Sequence, residues 1–108
     1  MARIAKRMHG PAQVSNAAAT KYTVPSVTKS IVRHIHIQNP SGSAVTFTMS
    51  IGADAAGVRI FDAFSIGANS VFDHFCMYVL EAAEVIQAFA GTNNILVLTI
   101  DGEESVLS

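Results

Sequence analysis

Residues Ala44-Val45-Thr46-Phe47-Thr48-Met49-Ser50-Ile51 alternate apolar and polar side chains without a break. In an extended chain successive side chains point to opposite faces, so Val45, Phe47, Met49 and Ile51 share one face and Thr46, Thr48 and Ser50 the other. A strand buried on one side and wetted on the other reads this way. The same period runs through Ser30-Ile31-Val32-Arg33-His34-Ile35-His36-Ile37-Gln38. There Ile31, Ile35 and Ile37 fall on one face, and His34, His36 and Gln38 on the other. Between the two runs, Asn39-Pro40-Ser41-Gly42-Ser43 is dense in turn formers and predicts a hairpin.

Further strands are expected at 20–24, 58–64, 71–79 (bent or broken) and 95–101. Turn signals separate them at Pro25-Ser26, 52–57, Gly67-Ala68-Asn69 and 91–94. Residues 80–90 are rich in helix formers, so propensity alone favours a helix there. The β context and the closing Gly91-Thr92-Asn93-Asn94 turn favour instead a turn at 81–84 followed by a strand. Short strands with turns at this spacing predict an all-β fold, an antiparallel β-sandwich of jelly-roll-like form, over residues 20–108. Residues 1–19 differ in character. They are basic at the start, are punctuated by Gly10-Pro11, and pass through Ala17-Ala18-Ala19, which predicts an extended N-terminal arm outside the core.

The charge is divided along the chain. Six of the seven Lys/Arg residues precede residue 53, and all eight Asp/Glu residues follow it, behind a net charge of −1. Such a split points to a partner or to self-association. In the arm, Arg3, Lys6 and Arg7 would steer docking on an acidic neighbour, while burial of Ile4, Met8 and Val14 would hold it. The 108 residues make one domain, half of them apolar and only 14% charged. With so few charges to cover the outside, apolar surface is expected to pack against another subunit, as a homo-oligomer with a trimer favoured.

Function classes fall away one by one. Cys76 is the only cysteine, so no intrachain disulfide is possible, and its apolar neighbours suit a buried small hydrophobe. No apolar run reaches the roughly 20 residues of a membrane span, and no secretory leader is recognisable, so synthesis in the cytoplasm is expected. The chain has no Gly-x-Gly-x-x-Gly, Walker loop, Gly-x-Ser-x-Gly or His-Glu-x-x-His pattern. Asp62 and Asp73 would serve as acid and base only if the fold joined them. Arg3, Lys6, Arg7 and His9 lack interleaved aromatics, and the acidic second half would repel a duplex, so no direct nucleic-acid contact is expected.

His34-Ile35-His36 is the sharpest chemical pattern. Two histidines at i and i+2 on a strand point the same way, at a spacing suited to one metal. Small β-barrel metalloenzymes of the cupin type add a downstream Glu and a further His. Here no acid appears before Asp54, and His9 and His74 join only if the fold recruits them. The set is incomplete, so neither a metal nor an enzyme is expected, with His34 and His36 as the candidates should one bind.

Several stretches resemble a family of small tailed-bacteriophage virion proteins, found often in phages of actinobacteria and described as minor tail or virion structural proteins. They are Lys6-Arg7-Met8-His9-Gly10-Pro11-Ala12, Lys21-Tyr22-Thr23-Val24-Pro25, residues 31–46, residues 50–57 and residues 79–88. The resemblance implies a non-enzymatic β-sandwich in the particle, a minor tail or capsid decoration protein that contacts other virion proteins. It also implies a turn at Ala83, where relatives often have Gly. A carbohydrate-binding module at the tail tip is the alternative, weakened by the absence of Trp and the presence of only two Tyr.

Overall fold

The computed structural model describes residues 3–106. Eight strands follow one another: β1 (Arg3–Gln13), β2 (Ala19–Thr23), β3 (Thr28–Asn39), β4 (Val45–Ile51), β5 (Arg59–Ile66), β6 (Ser70–Leu80), β7 (Val85–Ala90) and β8 (Val97–Val106). They form two four-stranded antiparallel sheets in the orders β1-β8-β3-β6 and β2-β7-β4-β5. The pairs β1–β8, β2–β7, β3–β6 and β4–β5 are nested, as if one long hairpin had been rolled up with the β4–β5 link at its tip. Every other sequential link crosses from one sheet to the other. This is a jelly-roll sandwich.

The core lies between the sheets, where Val32, Ile35 and Ile37 of β3 face Phe47 and Met49 of β4, all at most 1% exposed. Each such side chain contributes about 1.5–3 kcal/mol by leaving water. That burial explains why β3 and β4 do not pair as the expected hairpin. Each has one largely apolar face, and placing them in opposite sheets buries both faces against each other. The crossing at 39–45 is held by Asn39, which is fully buried. Its amide donates to the carbonyls of Ser43, Ile66 and Gly67 at 2.9–3.1 Å, and its oxygen accepts from the backbone and hydroxyl of Ser41.

Alternation in β3 slips once. The register shifts between Val32 and His34 against both neighbouring strands, a β-bulge that turns Ser30 and Val32 inward before it and Ile35 and Ile37 inward after it. Ile31, expected on the core face, therefore lies on the outer one. Opposite the bulge, a Cβ at Gly102 would stand 2.1 Å from the Ile31 carbonyl oxygen, so only glycine fits there.

Residues 71–79 lie in one unbroken strand, whose register against β3 shifts once, between Tyr78 and Phe75. In 80–90 the turn-plus-strand expectation holds. The Glu84 backbone N–H donates to the Glu81 carbonyl at 3.1 Å, Ala83 takes a left-handed φ of 69°, and β7 follows.

The largest departure from the sequence reading is at the N-terminus. The segment read as an arm outside the core is β1, paired along β8, with Met8 and Val14 buried in the core. Gly10-Pro11 does not send the chain away. It marks register shifts within β1, where a Cβ on Gly10 would lie 2.1 Å from the Leu98 carbonyl oxygen. Pairing of β1 with β8 also sets the basic start against the acidic end. Arg7 lies opposite Asp101, Arg3 reaches Glu103 at 3.6 Å, and Arg33 of β3 donates to the same carboxylate at 2.7 Å. Part of the charge split is thus satisfied inside one chain.

Candidate functional site

The outer face of the β1-β8-β3-β6 sheet gathers the features that the core does not use. β6 is an edge strand, and its alternation puts Val71, Asp73, Phe75, Met77 and Val79 outward. Val71, Met77 and Val79 are more than half exposed, and Phe75 is 77% exposed. At roughly 3.3 Å per residue this apolar row is about 26 Å long. An unpaired edge bearing large apolar side chains is a surface that proteins ordinarily blunt or cover.

The two histidines of β3 stand beside this row. Antiparallel pairing sets His36 directly opposite Asp73 and His34 opposite Phe75. One Asp73 oxygen, Oδ1, accepts from His36 Nδ1 at 2.5 Å and from His34 Nε2 at 2.9 Å. Those hydrogen bonds, from His36 first and His34 second, hold the Asp73 carboxyl below its usual range, so it is ionised at neutral pH. The Phe75 ring lies parallel to His34 at 4.4 Å and fixes the plane of that imidazole. The three ligand-type atoms lie within 4.8 Å of one another.

The remaining candidates are dispersed. His74 points to the inner side of β6, bonded to the Tyr78 hydroxyl at 3.0 Å and set edge-on to Phe61. His9 is half-buried on β1, and burial, then the Lys21 charge, lower its pKa. Neither joins the His34/His36 pair. Asp62 bonds Arg59 at 3.0 Å, whereas Asp73 bonds the two histidines. Cys76 is half-buried rather than fully enclosed, and burial pushes its thiol pKa up, which keeps it a poor nucleophile. Of the docking residues, Ile4, Arg3, Lys6 and Arg7 are exposed on β1, at the opposite edge of the sheet from β6. A shallow open cleft at the β3 and β6 ends, lined by Gln38, Asn39, Pro40, Asn69, Ser70 and Val71, holds no titratable side chain. No helix among the described residues is long and apolar enough to cross a membrane.

Sequence reasoning found His34 and His36 but missed Asp73 as their partner, and missed the exposed row. Cross-strand pairing joins residues 37 and 39 positions apart, and nothing local announces it. The row was readable in principle from the alternation Val71, Asp73, Phe75, Met77, Val79.

No family model matches the sequence, and no curated protein matches it. Among solved structures, a chain in the structure of infectious bursal disease virus, Gx strain, superposes with a TM-score of 0.52 at 10% identity, over 97% of this chain and 32% of that one. A chain of the Gt strain structure gives a TM-score of 0.37 at 7% identity, over 95% and 29%. The present chain thus spans about a third of the length of the chains it is similar to. At this identity the Gx likeness is one of fold, and it agrees with the jelly-roll topology read from the strand order.

Proposed function

We propose that this chain is a structural subunit of a virus particle, packed against copies of itself through the outer face of β6. The observation that carries the reading is the row Val71, Phe75, Met77 and Val79 on an unpaired edge strand, in a chain with little charge to cover it. Support comes also from the fold, which is similar to that of a chain in a virus structure. The sequence resemblance narrows the proposal to a bacteriophage minor tail or capsid decoration protein, acting without catalysis. Ile4, Lys6 and Arg7, exposed on β1, supply a second contact surface of different chemistry at the opposite edge of the sheet. A trimer is the expected form, with the β6 row of each copy covered by a neighbour.

Sedimentation velocity of the purified protein tests the contact. The wild type is expected to associate, and Phe75→Asp with Met77→Asp is expected to give monomers with an unchanged far-UV circular dichroism spectrum. A wild type that stays monomeric up to about 100 µM, a concentration at which a weak specific contact already forms, contradicts the proposal.

A further inference from the structure

We propose that His34, His36 and Asp73 form a binding site for one divalent transition-metal ion of the zinc class per chain. The inference stands apart from the assembly reading and rests on the geometry of the three side chains. Two sit at i and i+2 of β3, and the third is the cross-strand partner of His36 on β6. The sheet therefore fixes the three backbone positions independently of any ion.

Their donor atoms, His34 Nε2, His36 Nδ1 and Asp73 Oδ1, converge within 4.8 Å. Around a tetrahedral zinc with bonds of about 2.0–2.2 Å, ligand atoms stand about 3.3–3.5 Å apart. The two imidazole–carboxylate separations, 2.5 and 2.9 Å, need to open by about 1 Å or less, and the two imidazole nitrogens, within 4.8 Å of each other, need to settle at about 3.4 Å. Side-chain rotation can supply that shift, because all three groups are partly exposed, His34 at 26%, His36 at 36% and Asp73 at 39%. Two nitrogens aimed at one carboxylate oxygen put three donors around a common space, and a cation would enter between them as the carboxylate swings back. With the ion in place, each neutral imidazole would carry its proton on its other nitrogen, Nδ1 of His34 and Nε2 of His36.

The donor set chooses the ion. Two imidazoles with one carboxylate suit zinc, cobalt, nickel or copper, whereas calcium and magnesium take oxygen-rich shells. Stacking of Phe75 on His34 holds one ring in its plane, which reduces the reorganisation needed. Three protein ligands on an outer face leave the fourth position to a water in the isolated chain, or to a group of a neighbouring copy where that face is covered.

Titration calorimetry of the metal-free full chain with zinc chloride at pH 7.5 tests the site. The expected result is one zinc per chain with a dissociation constant tighter than about 100 µM. Loss of a direct ligand should cost at least the roughly 10–100-fold that loss of a supporting residue costs, so His36→Ala and Asp73→Asn should each weaken binding by tenfold or more. His74→Gln, on the inner side of β6, should leave it unchanged. Circular dichroism establishes that each variant is folded, which is expected for surface positions. Binding weaker than about 100 µM, fewer than one zinc per chain, or undiminished binding by folded Asp73→Asn and His36→Ala would overturn the proposal.

Discussion

The hydroxyl of Tyr22 ties the two sheets together. Tyr22 belongs to β2, yet its oxygen bonds Ser30 Oγ of β3 at 2.8 Å and donates to the Glu104 carboxylate of β8. Burial first, then the Glu104 hydrogen bond, push the phenol pKa up to about 12. Because the folded value lies above the unfolded value of 10.0, this contribution to stability is complete below pH 10 and is lost as pH rises through 12. Tyr22→Phe leaves the fully buried Ser30 hydroxyl without that partner, and should destabilise by about 1–3 kcal/mol at neutral pH in urea denaturation. The same substitution should reduce the alkaline loss between pH 10 and 12, leaving the part that comes from Tyr78, whose phenol pKa burial also raises. Backbone strain makes a second, opposite prediction. Val27 and Ala83 hold φ of 46° and 69°, a region where L-residues cost roughly 1–2 kcal/mol. Val27 is 61% exposed, so little burial is forfeited by trimming it. Val27→Gly and Ala83→Gly should each raise the melting temperature, with a gain of up to about 1 kcal/mol after glycine's greater unfolded freedom is subtracted.

At the scale of elements, the strands whose two faces differ were legible. Residues 44–51 became β4 and residues 20–24 became β2 with small changes at the ends. The strand after the 81–84 turn was also readable, because the turn residues outweighed helix propensity. Pairing was not. Whether β3 turns back on β4 or crosses to the other sheet depends on which apolar faces meet, and the Asn39-Pro40-Ser41-Gly42-Ser43 turn serves either path. The bulge after Val32 was equally silent, since its cause, Gly102 on β8, lies about 70 residues away in the chain. Of the candidate site, the two histidines could be read from the sequence and their acid could not.

Residues 1–19 misled for the same reason. Local signals of Gly, Pro and charge describe an arm, whereas the partner of that charge is the chain's own end. Deleting residues 1–14 should therefore do more than cost assembly. It removes β1, uncovers one edge of β8 and empties the positions of Met8 and Val14. Loss of two buried side chains and a strand ladder exceeds about 4 kcal/mol, a large part of the 5–15 kcal/mol that holds a typical domain. The truncated chain should be insoluble or lack a cooperative melt. A truncated chain that melts like the full one would show that β1 contributes nothing to the fold.

The whole molecule joins a closed interior to an unfinished exterior. Inside, the nested strand pairs satisfy one another, and the first and last strands pair as β1 and β8, where opposite charges meet. Outside, β6 ends a sheet with an apolar row that nothing among the described residues covers. The proposal that neighbouring copies in a virus particle complete this exterior is tested most directly by cryo-electron microscopy of virus particles purified from the chain's natural source, at a resolution that traces side chains. The predicted result is a symmetric array of jelly-roll subunits in which Phe75 and Met77 of each copy are buried against the next. Particles that lack the chain, or that carry it with the β6 row facing solvent, would contradict the account.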